Sequence, residues 1–430
     1  MQNRIYSNEL KTKIGQTVLI AGRVYGMRKL GGINFLILQD SVGLAQIVFD
    51  AAKIGELKIG SWVKISGIAK EEKRAPGGAE IQGEEIETVS EPVEDLPIDL
   101  SKKGLNVNLT TLLNYRPLTL RHENVRAIFK VYATLLEAYG EIMRRFGFTE
   151  IKSPKILGEA SEGGANFFTI NYFGKKAFLA QSPQFYKQIC VGAFERVFEI
   201  GPVFRAEKHF TSRHINEYIS LDAEMGFIDS HEDLMVKLTE VLRFIFERIQ
   251  EKNSEELKSY NAQAITIPPE IPKYKLAEIK KIIKEKYHYE IPAETDIDPK
   301  GEALAGRFAK EEHKSDFIFL THYPSNMRPF YTMPDEKDPS ETKGFDLIFR
   351  GTELVTGSQR IHNYKQLVAN IKKFRLNPKD FSFYLEAFKY GLPPHGGWGM
   401  GAERLVQQLL GLANIKEAAL FPRDVKRLEP

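Results

Sequence analysis

Residues 16–95 repeat one pattern five times: a short run with apolar side chains at alternate positions, then a turn. QTVLIAGRVYGMRKLGGINFLILQDSVGLAQIVF holds three such runs, parted by Gly-Gly and by Ser-Val-Gly, and SWVKISGIAKEEKR and AEIQGEEIETVSE supply two more. A period of two belongs to strands with one buried face. Five of them within roughly 80 residues predict a small closed sheet of the OB type.

After residues 96–118, a hinge-like stretch with LPIDL, Lys-Lys-Gly and Pro117, the texture changes. Residues 123–146 place Ile128, Val131, Tyr132, Leu135, Tyr139 and Ile142 on one stripe, which predicts an amphipathic helix ended by Gly147. FTEIKSP reads as a strand. Further helices are expected over about 231–250, 275–287 and 401–412 by the same periodicity. Helices and strands mix without a repeating strand-helix unit, so the class is α+β and not doubly wound. The reading sets domains at 1–98 and 131–430, with 99–130 as linker.

Charge and cysteine usage narrow the setting. A net charge of +3 on 430 residues carries no argument for nucleic acid, so any basic surface has to be local. Cys190 is the only cysteine, which excludes an internal disulfide framework and a multi-cysteine zinc site and fits a reducing compartment. The first residues lack the apolar core of a signal peptide, and no run approaches the roughly 18 apolar residues of a membrane span. A cytoplasmic protein is expected.

Four stretches concentrate polar chemistry. In VFRAEKHFTSRHINEYISLDAEM, Tyr218, Ser220, Asp222 and Glu224 share one strand face, Arg205 and Glu207 fall near the end of the preceding strand, and Lys208, His209, Arg213 and His214 crowd the loop. Such cations suit a polyphosphate; an exposed charged hairpin accounts for the loop equally well. HGGWGMGAERL sets glycines before a helix start with Arg404 on its first turn, the arrangement of an anion site or merely of tight packing. In FDLIFRGTELVTGSQRIH, Asp346 and Glu353 could hold a hard divalent cation, and Arg360, beside Ser358, could grip a carboxylate by both nitrogens; an ion-pair network is the alternative. QSPQFYKQ brings Gln181, Ser182, Gln184 and Lys187 together, and SEGGANFF presents Glu162 in a loop. On the N-terminal sheet, Arg28, Phe35 and Gln46 offer a cation, a ring and an amide to unstacked RNA bases, although a strand phenylalanine is more often core.

Taken together these stretches resemble the class II aminoacyl-tRNA synthetases of subclass IIb, with the nearest likeness to the aspartyl enzymes of archaeal and eukaryotic type. FGFTEIKSPKIL is similar to motif 1 with Pro154 at its proline, VFRAEKHFTSRHINEYISLDAEM to motif 2, and GGWGMGAERL to motif 3 with Arg404 at its arginine. The resemblance implies an antiparallel sheet flanked by helices, preceded by a five-stranded OB barrel that binds the anticodon. It implies ATP, L-aspartate and tRNA(Asp) as substrates, with tRNA(Asn) as a further acceptor to be tested, Mg²⁺ as cofactor and a homodimer. Aspartate is expected at Glu162, Ser182, Gln184, Lys187, Arg205, Asp222, Thr356 and Arg360. ATP is expected at Arg205, Glu207, Arg213, His214, Tyr218, Glu353, Gly401, Ala402, Glu403 and Arg404, with Tyr218 and Arg404 sandwiching adenine. Mg²⁺ is assigned to Glu353, Asp346 and Thr356, and the anticodon to Arg28, Phe35 and Gln46. Asparagine should be refused because its neutral amide leaves Arg360 and Lys187 uncompensated. An asparaginyl enzyme, against which Lys187 speaks, and a non-catalytic RNA-binding relative are the competing readings.

Overall fold

The computed structural model describes residues 4–50, 54, 56–102, 104–158, 167–208, 211–292 and 295–430. The chain divides into two compact units, Met1–His122 and Glu123–Pro430.

The first unit contains β1 (Arg4–Ile5), β2 (Thr17–Leu30), β3 (Ile33–Gln39), β4 (Leu44–Asp50), β5 (Trp62–Glu71) and β6 (Ala79–Ser90). Their order is β1-β2-β3-β4-β6-β5, and β2 pairs with β5 as well, which closes the five predicted strands into a barrel and leaves β1 as an addition. Alternate residues fill the interior: Val18, Ile20, Leu36, Leu38, Ile47, Phe49, Ile65 and Ile81 are buried there. Closing so small a barrel requires sharp bends. One lies at Gly67, where the β5–β6 register shifts and a Cβ would stand 2.1 Å from the Gln82 carbonyl oxygen. The expected linker contains two short helices, α1 (Leu109–Asn114) and α2 (Arg116–Thr119).

In the second unit, α3 (Glu123–Arg145) is the predicted amphipathic helix, and Gly147 (φ +77°) follows it. The strand expected in FTEIKSP shrinks to β7 (Thr149–Glu150), since a parallel pairing with the following sheet covers only two residues. Then come β8 (Ile156–Leu157), β9 (Thr169–Tyr172), β10 (Lys175–Leu179), α4 (Gln184–Phe194), β11 (Arg196–Phe204), β12 (Glu217–Gly226), α5 (His231–Lys252) and α6 (Ser254–Ser259). The remainder is β13 (Lys273–Lys275), α7 (Leu276–Tyr287), α8 (Pro299–His313), β14 (Phe317–Thr321), β15 (Gly344–Phe349), β16 (Thr352–Gln359), α9 (Tyr364–Lys373), α10 (Ser382–Lys389), β17 (His395–Gly401) and α11 (Ala402–Leu410). Eight strands form one sheet in the order β13-β14-β15-β16-β17-β12-β11-β7, antiparallel through its centre.

Strand alternation gives this sheet two different faces. Leu221, Ala223 and Met225 of β12, Phe317 and Phe319 of β14, Phe345, Leu347 and Phe349 of β15, and Trp398 and Met400 of β17 pack with α3, α5 and α11 into the main core. Each large side chain fully buried there contributes about 1.5–3 kcal/mol. On the opposite face, Ile318, Leu320 and Ile348 are covered by α7 and α8. Phe185 of α4 packs with Tyr384 and Phe388 of α10 in a separate cluster. The intermediate strands β12, β17 and β16 turn polar side chains and glycines to that second face. No helix among the described residues is long and apolar enough to cross a membrane.

Candidate active site

A cavity of about 500 Å³ opens over β12, β17 and β16. Its floor contains a strip almost free of side chains. Trp398 and Met400 point into the core, so Gly397, Gly399 and Gly401 face the other way, and Gly399 lies opposite Asp222 on one side and Thr356 on the other. Size requires glycine at 397, where a Cβ would stand 2.0 Å from the Ala223 carbonyl oxygen and 2.3 Å from Glu224 Oε2; at 399 it would be a tight 3.3 Å from Asp222 Oδ1. The glycine-rich stretch read as a helix approach is therefore a central strand.

One end of the cavity is a buried cluster of four charges. Lys187, near the start of α4, donates to Asp222 Oδ1 at 3.0 Å, Trp398 O at 2.9 Å and Ala223 O at 3.3 Å, and lies 3.4 Å from Glu224 Oε2. Arg360 donates through Nε to Glu224 Oε1 (2.9 Å), through Nη2 to Glu224 Oε2 (3.3 Å) and Gly397 O (3.1 Å), and through Nη1 to Ser358 Oγ. Ser220 Oγ donates to Asp222 Oδ2. Glu224 is fully buried; burial pushes its carboxyl up, but Arg360 and Lys187 outweigh that and hold it below the usual carboxylate range. Two cations and two carboxylates make the cluster neutral.

This arrangement corrects three expectations. Arg360 does not keep a free fork for a ligand, because its Nε/Nη2 edge is taken by Glu224; of its five N–H groups one, on Nη1, is left over. Lys187 has three protein acceptors for its three N–H groups. Neither cation is uncompensated, since two buried charges without partners would cost several kcal/mol each. Glu224, which had no role in the sequence reading, orients Arg360 by two hydrogen bonds and lies 3.4 Å from Lys187 as a second counter-charge. Beside them Gln184, 5% exposed, lines the cavity with an amide nitrogen that has no acceptor among the described residues. Gln181 and Ser182 line the same wall.

The other end is built from Arg205, Glu207, Arg213, His214, Tyr218, Glu353, Thr356, Gly401 and Arg404, all of which line the cavity. Arg205 and Glu207 fall just past the end of β11 and not within it; the Arg205 N–H still donates to Asn216 O at 2.8 Å, so the ladder continues into the loop. Lys208 is exposed and outside the lining. Glu162 and His209 lie outside the described residues. Gly401 lies beside both Tyr218 and Arg404: a Cβ there would be in ordinary contact with the Tyr218 ring (3.9 Å) and with Arg404 Cβ (3.6 Å). Arg404 Nη1 donates to the Glu353 carbonyl at 2.7 Å and lies 3.4 Å from Oε1. Ala402 belongs to the core instead of the cavity, because helix α11 starts there with its apolar face inward. Glu403 lines the cavity, and its carboxylate also holds the structure together, accepting the Ile219 N–H at 3.1 Å and the Tyr132 hydroxyl at 2.9 Å.

Glu403 is 5% exposed, and burial pushes its carboxyl from 4.5 up to about 7 against the pull of its hydrogen bonds. A carboxyl whose folded pKa is raised stabilises the fold below its unfolded pKa, and that stability is lost as pH rises through the folded one. Between about pH 5 and pH 8, wild type should therefore lose up to roughly 3 kcal/mol relative to Glu403→Gln. Urea midpoints of both proteins across that range provide the check, and parallel profiles would contradict the raised carboxyl.

Asp346 and Glu353 sit on neighbouring strands, with Asp346 opposite Thr356. Asp346 is not open to the cavity: Arg328, absent from the sequence reading, covers it with Nη2 at 2.6 Å from Oδ2 while stacking on the Tyr323 ring at 3.5 Å. Burial and the nearby Glu353 push its carboxyl up to about 6 although Arg328 pulls it down. For Glu353, burial is outweighed by Arg404, Arg328, the Thr356 hydroxyl and Arg205, and the carboxyl stays low. Asp346 Oδ1 is buried without a hydrogen-bond donor among the described residues, and over a third of the Glu353 side chain is exposed. The cavity-lining Glu353 carboxylate and the Asp346 Oδ1 behind Arg328, donor-free among the described residues, are oxygens of the kind that fit a Mg²⁺. No group of three or more His, Cys, Asp or Glu suited to a metal occurs among the described residues.

In the barrel, Arg28 and Phe35 are cross-strand partners on β2 and β3, and Gln46 lies opposite Ile37 on β4, so the three share the outer face. Phe35 is half-buried and not core, Arg28 is exposed, and the Gln46 amide donates to Glu80 at 2.8 Å. Arg23 and Tyr25, by contrast, are buried.

Known proteins match this arrangement along the whole chain. The family described as tRNA synthetases class II (D, K and N) matches residues 108–425, and the OB-fold nucleic acid binding domain matches residues 18–89. The aspartate–tRNA(Asp/Asn) ligase of Thermus thermophilus is 44% identical over 427 residues, spanning 99% of this chain and 100% of the relative. The aspartate–tRNA(Asp) ligase of Pyrococcus abyssi is 40% identical, with 99% of each chain covered. Among solved structures, the asparaginyl-tRNA synthetase of Pyrococcus horikoshii complexed with asparaginyl-adenylate superposes with a TM-score of 0.93 at 32% identity over 100% of both chains. With these matches over barrel, sheet and cavity alike, the chain belongs to the class II tRNA synthetases of the D, K and N group.

Proposed function

We propose that the protein is an aspartate–tRNA ligase, which activates L-aspartate with ATP and transfers it to the 3′ end of tRNA(Asp). The observation that carries this reading is the Glu224–Arg360–Lys187–Asp222 cluster at one end of a cavity whose other end is lined by Arg205, Arg213 and Arg404. Support also comes from the 39–44% identity to relatives named aspartate–tRNA ligases.

Aspartate lies with its side chain toward Arg360 and Ser358, where the remaining Nη1 hydrogen and the Gln184 amide are donors. Its ammonium meets Asp222, and the family resemblance assigns Glu162 to the same group. The α-carboxylate attacks the α-phosphorus of ATP, pyrophosphate leaves, and the 3′-hydroxyl of the tRNA then displaces AMP from the activated carbonyl. The chain supplies position and charge and no nucleophile: Arg205 bridges carboxylate and α-phosphate, Tyr218 and Arg404 hold adenine with Glu207 at its edge, and Arg213 and His214 take the terminal phosphates. Glu353 and Asp346, with Thr356, would hold Mg²⁺, which when bound neutralises charge on the phosphates. Arg28, Phe35 and Gln46 read anticodon bases from the barrel face. The proposal extends to charging of tRNA(Asn), to pairing of two copies through the segment around Pro154, and to a cytoplasmic setting.

Aspartate-dependent ATP–pyrophosphate exchange beside asparagine tests the substrate; exchange with asparagine alone would favour an asparaginyl enzyme, and none with either would favour a non-catalytic relative. Aminoacylation of purified tRNA(Asp) and tRNA(Asn) tests the acceptors, and sedimentation tests the dimer.

A further inference from the structure

Glu302 reaches the site from outside the three motif-like stretches. It stands at the start of α8, whose N-cap Asp298 accepts the Gly301 N–H at 2.9 Å, and it is 7% exposed. Its Oε2 accepts from Arg213 Nη2 and, at 2.8 Å, from the backbone N–H of Glu353. One oxygen thus ties together the loop between β11 and β12, the start of β16 and helix α8. The carboxylate does not line the cavity, whereas Arg213 and Glu353 both do. Arg213 would otherwise be a long cation on a loop, with many rotamers to lose when a ligand orders it. Anchored by Nη2, it leaves its Nε without an acceptor among the described residues, and about a fifth of the side chain is exposed.

Resting on the ligase reading, we propose that Glu302 is a positioning residue for the terminal phosphates of the nucleotide, because it presets the Arg213 guanidinium and the Glu353 backbone at that end of the cavity. It touches no substrate atom and acts through these two partners. A purely structural anchor of α8 would disturb every ligand of the cavity. A phosphate-positioning residue should disturb only ligands that carry terminal phosphates.

The test compares direct binding of ATP and of AMP to the full chain, together with exchange kinetics. In Glu302→Ala, ATP affinity should fall about tenfold with AMP affinity unchanged, and KM for ATP should rise while KM for aspartate stays within about twofold. Glu302→Gln keeps the shape and one acceptor oxygen, and so keeps the test readable where the alanine variant folds poorly; it should weaken ATP about threefold and leave AMP unaffected. Equal losses for ATP and AMP, or no loss for ATP, would overturn the proposal. Wild type lacking aspartate-dependent exchange would instead overturn the ligase reading, and the ATP-to-AMP comparison would still report on Glu302.

Discussion

Arg360→Leu is expected to lower aspartate-dependent ATP–pyrophosphate exchange by roughly 10³-fold or more while ATP binding stays within about twofold of wild type. The two halves of this result follow from where Arg360 stands. Its guanidinium is locked between Glu224, Ser358 and Gly397, at the end of the cavity away from Arg404 and Tyr218. Leucine removes the donor left for a substrate carboxylate and also leaves Glu224 with Lys187 as its remaining cation, 3.4 Å away. Arg360→Lys separates these two losses. It restores a charge near Glu224 but cannot make two parallel hydrogen bonds, so it should recover stability and little activity. Full exchange in the lysine variant would show that charge alone, and not the planar fork, orients the site.

A second large effect is expected at Glu224. Glu224→Gln should destabilise the fold by roughly 3–5 kcal/mol at neutral pH, because two buried cations are then left with one carboxylate. The direction with pH is fixed by the lowered Glu224 carboxyl. Its contribution is present above the unfolded pKa and is lost as pH falls through the folded one, so wild type and variant should converge in acid. Glu87→Gln serves as the reference. Glu87 pairs with Lys64 at 2.9 Å, but the two side chains are 64% and 38% exposed, and such a pair is worth less than about 1 kcal/mol. Urea unfolding of both variants makes the comparison; similar losses would mean that the Glu224 cluster is as hydrated as the surface pair.

The site was legible in part because strand alternation is a local property. Tyr218, Ser220, Asp222 and Glu224 had to share a face, and the adjacent odd positions had to be core. The glycines of HGGWGMG were visible, but not their reason, since the atoms that exclude a Cβ at 397 belong to Ala223 and Glu224 more than 170 positions away. Arg328 and Glu302 were missed because both lie outside the motif-like stretches and their partners Asp346 and Arg213 stand 18 and 89 positions away. Glu403 was visible in its motif, yet its partners Tyr132 and Ile219 lie 271 and 184 positions away, so its structural use could not be read locally.

Short-range chemistry therefore settled the strand-rich barrel, the amphipathic α3, the polar face of β12 and the set of arginines and carboxylates from which a nucleotide and amino-acid site could be made. It could not settle which charges neutralise one another, because ion pairing depends on distances of a few ångströms between strands and helices far apart in the chain. Folding brings Glu224 between Arg360 and Lys187, and Arg328 onto Asp346. Both pairings follow from the cost of burying an uncompensated charge, and they decide which donors the cavity has left for a ligand.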